Sequence, residues 1–171
     1  MKRHNRINLH RAAWPAAACV LALMWVTAPA HAQVDPTAYY NSIIANPNLN
    51  QEAGEGWAWH ANWGMGEFVK GYRVWGDTAW LDRTVQYYDY VVGQMKTGPD
   101  GYKGWIGPHV SSSIDLWQDQ HIGDAILTRH LLAFAEVVKD DPGLHATYGA
   151  KADEYINLTK THLIEKWDAR G

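Results

Sequence analysis

Two apolar stripes at helical spacing meet across the dipeptide Gly76-Asp77, and that junction limits what the chain can build. Upstream, "EGWAWHANWGMGEFVKGYRVWG" sets Ala61, Met65, Phe68, Val69 and Tyr72 on one helical face. Downstream, "TAWLDRTVQYYDYVVGQM" does the same with Leu81, Val85, Tyr88, Val92 and Met95. Gly76 suits a helix C-terminus and Asp77 the cap of the next helix, so a stop and a start are adjacent. Two amphipathic helices joined so tightly must run antiparallel, as a hairpin. Gly64, Gly66 and Gly71 weaken the first helix by about 1 kcal/mol each, which points to a neighbouring helix or a ligand approaching its backbone closely.

The pattern repeats on both sides. "DPTAYYNSIIANP" reads as a short helix with Asp35 as cap and Pro36 in its first turn. "SIDLWQDQHIGDAILTRHLLAFAEVVK" is expected to be helical from a Ser112 cap, with Ile122, Ile126, Leu127, Leu131, Phe134 and Val138 facing in. After the break "DDPGLH", a last helix turns Tyr148, Ala152, Tyr155, Ile156, Leu163 and Trp167 inward. No segment alternates as a set of strands would. The expectation is an all-α fold of about five helices in antiparallel hairpins, with tight turns at one end and long aromatic-rich loops at the other.

The first 32 residues are set apart. A basic start (Lys2, Arg3, Arg6, Arg11), the apolar run "AAWPAAACVLALMWVTA" and "AHA" before Gln33 describe a secretory signal peptide. The run is shorter than the ~20 residues of a membrane span, so no stable anchor is expected after its removal. The expected organisation is a signal at 1–32 and a helical-hairpin domain at 33–171, in a secreted or periplasmic protein. The single cysteine, Cys19, lies in the signal, so packing alone must hold the mature chain. Four of the 15 Lys and Arg lie there too, while all 18 Asp and Glu follow it, giving 11 − 18 = −7 for the remainder. That balance argues against nucleic acid or an anionic membrane as partner. Eight of the ten Trp and all nine Tyr remain, against two Phe. Such a choice favours rings with a polar handle, as expected where a ring must also meet a polar group.

The stretch "GEFVKGYRVWGDTAWLDRTVQYYDYVV", with its Tyr-x-x-x-Gly-Asp-x-x-Trp-Leu-Asp junction at Tyr72 to Asp82, resembles the helical hairpins of the six-hairpin (α/α)6-toroid superfamily. "GYKGWIG" followed by "DLWQDQHIGDAIL" looks like the next loop and inner helix of that pattern, and the likeness spans roughly residues 50 to 168. The resemblance implies glycoside hydrolase or polysaccharide lyase activity on a poly- or oligosaccharide. A complete toroid has twelve helices, so the chain resembles either the N-terminal part of one or a smaller helical domain of the same style.

The residues suited to such chemistry gather after the loop "DGYKGWIGPHVSSS". Asp115 and Asp119 are four apart, and Asp124 follows within the same expected helix. Glycoside hydrolysis needs two carboxyl groups roughly 5 to 9 Å apart, and these three are the candidates, a pair contributed by two different helices serving equally well. Asp115 also fits as the third residue of a capping box begun by Ser112. His121, three before Asp124, and His60, between Trp59 and Trp63, are candidate bases. Elimination would call on His60, His121 or Tyr102 and a neutralised uronate. Trp57, Trp59, Trp63, Tyr102, Trp105 and Trp117 offer ring faces for sugar stacking, with His109 beside them.

No metal or cofactor is expected. His121 and Asp124 lack a clear third ligand, and "GMGEFVKG" has neither the strand nor the spacing of a phosphate loop. A non-catalytic glycan-binding protein with the same groove is the competing reading. A terpene-type helical toroid would need Asp-Asp-x-x-Asp, and the chain has only "DDP" at Asp140.

Overall fold

A computed structural model describes residues 33–108 and 117–171; at Trp117 and Gln118 it describes the backbone alone. The signal reading of 1–32, Ser112 as a cap, Asp115 and His109 all fall outside the described residues, as does the side chain of Trp117. The fold is all-α. Its helices are α1 (Pro36–Ile44), α2 (Glu55–Trp75), α3 (Ala79–Gly93), α4 (His121–Asp140) and α5 (His145–Thr159). A π-helical segment, Lys160–Glu165, carries α5 on into α6 (Lys166–Arg170). Two short antiparallel ladders sit in the long loop. They pair β1 (Lys96–Thr97) with β2 (Lys103–Gly104), and β3 (Gly107–Pro108) with β4 (Trp117–Gln118).

Local signals act as the sequence suggests at most boundaries. Asp35 caps α1, accepting from the backbone N–H groups of Thr37 and Ala38. Gly76 ends α2 at φ 67°, a left-handed position that costs a glycine nothing. Asp77 then accepts from the Ala79 N–H at 2.9 Å. The close approach expected on α2 is real. A methyl group on Gly71 would lie 2.4 Å from the Trp80 ring, so only glycine admits that indole.

Helix directions follow from the contacts. Tyr148 of α5 donates to Asp82 of α3 at 2.6 Å, and Tyr155 donates to Asp89 at 2.8 Å. Equal steps of seven residues on both helices mean that α3 and α5 run parallel. Helix α1 runs with them, since Arg83 donates to Thr37 Oγ1 at 3.1 Å while Ile43 and Tyr87 close on Gly64 further along. Helices α2 and α4 run parallel to each other in the opposite sense. Gly123 lies beside Ala58 at their starts, and Arg73 pairs with Glu136 near their ends. The result is two layers, α1, α3 and α5 against α2 and α4. The tight turns lie at one end and the long loop at the other.

The core between the layers explains the shortage of Phe. Tyr88 and Tyr87 of α3 donate their hydroxyls to the carbonyls of Met65 and Ala61 on α2. Trp57 and Tyr90 both donate to the Leu49 carbonyl, at 3.2 and 2.8 Å. Trp105 donates to Val91 at 2.7 Å. Each ring fills volume and also satisfies a backbone acceptor, so a buried polar handle costs nothing. Burial pushes the Tyr88 and Tyr155 hydroxyls well above their usual range and keeps them as donors. Much of the Trp and Tyr enrichment therefore serves packing rather than ligand contact.

Candidate functional site

The expected helix from Ser112 is not observed over its described part. Asp119 and Gln120 precede α4, which begins at His121, and Gln120 is extended at φ −109°, ψ 125°. Asp119 therefore shares no helical face with the residues before it. The β3–β4 ladder holds the approach to α4 extended, and a long-range contact fixes the Asp119 carboxylate.

That contact is Lys166. Its Nζ lies 3.0 Å from both carboxylate oxygens of Asp119, donates to the Lys103 carbonyl at 3.0 Å, and pairs with Asp124. Arg170 adds a second cation to Asp119 at 2.9 Å and ties in Asp100 at 2.7 Å. The Trp167 indole donates to Asp124 at 2.8 Å. Gly104 makes room, since a methyl there would fall 2.1 Å from Asp119. Burial pushes the Asp124 carboxyl above the usual range, while Lys166 and the Trp167 indole oppose it.

Asp119 and Asp124 are thus brought together, but around an ammonium rather than a cavity. Lys166 is 0 % exposed and Asp124 1 %. A glycosidic oxygen would need the space the lysine fills, so in this arrangement the two carboxylates are a structural clasp. His121 is exposed, with its ring 5.0 Å from Trp167. Among the described residues, the candidate carboxylates near it, Asp119 and Asp124, are already held by Lys166. Trp105, expected as a stacking surface, is 3 % exposed and belongs to the core. Trp57 is likewise buried. Tyr102 is half-buried, edge-on to His162 at 6.5 Å.

The remaining aromatic candidates fare differently. Trp59 and Trp63 stay exposed, at 39 % and 65 %. Four residues apart on α2, they share a face about 6 Å apart along the axis. His60 between them is half-buried, edge-on to Trp63 at 5.4 Å, and its buried Nδ1 has no hydrogen-bond partner among the described residues. Trp63 stands on the rim of an open groove of about 440 Å³ between α2 and α4. The groove is lined by three residues that sequence reasoning passed over. Asn62 Oδ1 contacts Arg129 Nη2 at 2.9 Å and His130 Nε2 at 2.8 Å.

An Oδ1 that accepts from Arg129 also needs a hydrogen from His130, so the histidine carries its proton on Nε2 and has an acceptor lone pair on Nδ1. The 3.3 Å approach of Arg129 Nε to the same nitrogen is then a close contact rather than a hydrogen bond. Burial, followed by the charges of Arg129 and Lys70, pulls His130 down to about 4. It is neutral at neutral pH. Only the helical period could have flagged this trio, because Asn62 and His130 are 68 residues apart.

The fold and groove define a two-layer all-α hairpin protein with an aromatic-rimmed polar cleft. No family model, curated protein or solved structure matches the chain. No helix among the described residues is long and apolar enough to cross a membrane. Nor do they contain a cluster of three or more His, Cys, Asp or Glu able to hold a metal.

Proposed function

We propose that the chain is an exported, carbohydrate-recognising protein in the style of an (α/α) toroid, and that it binds a glycan along the face shared by α2 and α4. The observation that carries this reading is Trp63. It is a large ring, 65 % exposed, on a groove whose lining presents an amide, a guanidinium and a neutral imidazole. A ring face takes the apolar side of a sugar, and the polar trio takes its hydroxyls. Trp59 extends the ring surface along the same helix face. Hydrolysis by Asp119 and Asp124 is the less supported reading, since their carboxylates are occupied by Lys166 and Arg170.

The test is retention of the protein on a panel of immobilised polysaccharides, repeated with Trp63→Ala and Trp59→Ala. Each loss of a ring should weaken binding by about 5- to 10-fold, on the order of 1 kcal/mol, without altering thermal stability. Absence of binding to every glycan, or binding indifferent to both substitutions, would sink the proposal.

A further inference from the structure

The charges around the α2–α4 groove do not cancel. Glu67 pairs with Lys70 at 2.6 Å and Arg73 with Glu136 at 2.7 Å, so four of the charged side chains neutralise one another. Arg129 is different. Among the described residues it has no carboxylate partner, and Asn62, a neutral acceptor only 7 % exposed, holds its guanidinium in place. A guanidinium anchored through one nitrogen on a buried amide keeps its charge and its remaining donors available, and it is pre-oriented at little entropic cost. Arg129, itself exposed, is therefore a positive point held by Asn62 in the same groove as the neutral imidazole of His130 and the exposed indole of Trp63.

We infer that the groove is built for a sugar carrying a carboxylate, with Arg129 as the carboxylate-binding residue, Asn62 as its positioning residue and Trp63 against the sugar ring. The inference rests on the glycan reading above and narrows it to acidic saccharides. A carboxylate is the group whose two oxygens match the fork of a guanidinium. The neutral ring of His130 can meet an adjacent hydroxyl without adding a charge that the ligand must satisfy. A neutral sugar lying over the exposed Arg129 would displace water from its charge without supplying a counter-charge, so the same groove should discriminate by charge as well as by shape.

The experiment measures binding of pectate, alginate and hyaluronan by calorimetry, each against its methyl-esterified counterpart, with wild-type protein, Arg129→Gln and Arg129→Lys. At least one acidic glycan should bind about 10- to 100-fold more tightly than its ester, the range of one charge-assisted hydrogen bond. Arg129→Gln should erase that difference. Arg129→Lys keeps the charge but loses the fork, and should retain only part of it. It also serves as the test if the Gln variant fails to fold. Glycans that bind equally well with and without free carboxylates, or a preference that survives both substitutions, overturn the inference while leaving glycan binding intact. Failure of every acidic and neutral glycan to bind refutes the underlying reading, and this one with it.

Discussion

Replacing Lys166 with Met isolates what the buried clasp contributes. The substitution keeps most of the side-chain volume and removes only the ammonium, which lies 3.0 Å from both Asp119 oxygens and pairs with Asp124. Asp119 retains Arg170 at 2.9 Å, so the stranded charge is that of Asp124, 1 % exposed. Removing one partner of a buried pair costs about 3–5 kcal/mol, and with a single stranded carboxylate the lower end applies, about 3 kcal/mol. Against a typical total of about 5–15 kcal/mol this is a large fraction, and it should lower Tm on the order of 10 °C.

The pH dependence follows from Asp124. Burial holds its folded pKa above the ordinary carboxylate value, and Lys166 is the first influence opposing that rise. A raised carboxylate contributes stability that is present below its unfolded pKa and lost as pH climbs through the folded one. Without Lys166 the rise is larger, so Lys166→Met should lose more stability at pH 8 than at pH 5. Urea melts at both values measure it. Adding Asp124→Asn keeps an acceptor for the Trp167 indole, removes the stranded charge, and should recover most of the loss. A single variant within about 0.5 kcal/mol of wild type at pH 8, or a double variant no better than the single, would refute the reasoning.

Two further outcomes test the other assignments. His130 is pulled down to about 4 in the folded state from an ordinary 6.5, so the unfolded chain binds the extra proton between those values and stability falls as pH drops through that window. His130→Gln should flatten this slope, worth on the order of 1–3 kcal/mol after solvent screening, in melts between pH 4 and 7. Trp105→Phe should cost about 1–2 kcal/mol through the lost bond to the Val91 carbonyl and leave glycan binding unchanged; a binding defect in a stable Trp105→Phe protein would return that ring to the ligand surface.

The helical hairpins are legible because they rest on local information: a 3.6-residue period, an Asp cap and a Gly stop. The beginning of α4 is not. Ser112, Asp115 and Asp119 read as the first turns of a helix, but Asp119 answers to Lys166, 47 residues away, and no local rule weighs that attraction. Trp105 misleads for a related reason. Its place in a Gly-rich loop suggests exposure, whereas Gly104 and Gly107 are the residues that let the loop backbone press inward beside Asp119 and Ala53 and carry the indole under cover. Of the expected site, Trp59 and Trp63 stand on the solvent face, while the residues beneath them went unread. One clue was present in the sequence. Lys166 lies on the same stripe as Tyr148, Ala152, Tyr155 and Thr159, and a lysine on a buried stripe asks for an acid.

The clasp also has a place in time. Asp100 and Asp119 leave the ribosome well before the cations that hold them, and Lys166 follows Asp119 by 47 residues. At about 5–20 residues per second that interval lasts roughly 2 to 10 seconds. Through it the α2–α3 hairpin can already be packed, while the carboxylates of the loop end remain solvated. Lys166 and Arg170 are therefore the late residues that close this end of the molecule, and docking of α6 is the event that takes Asp124 out of water.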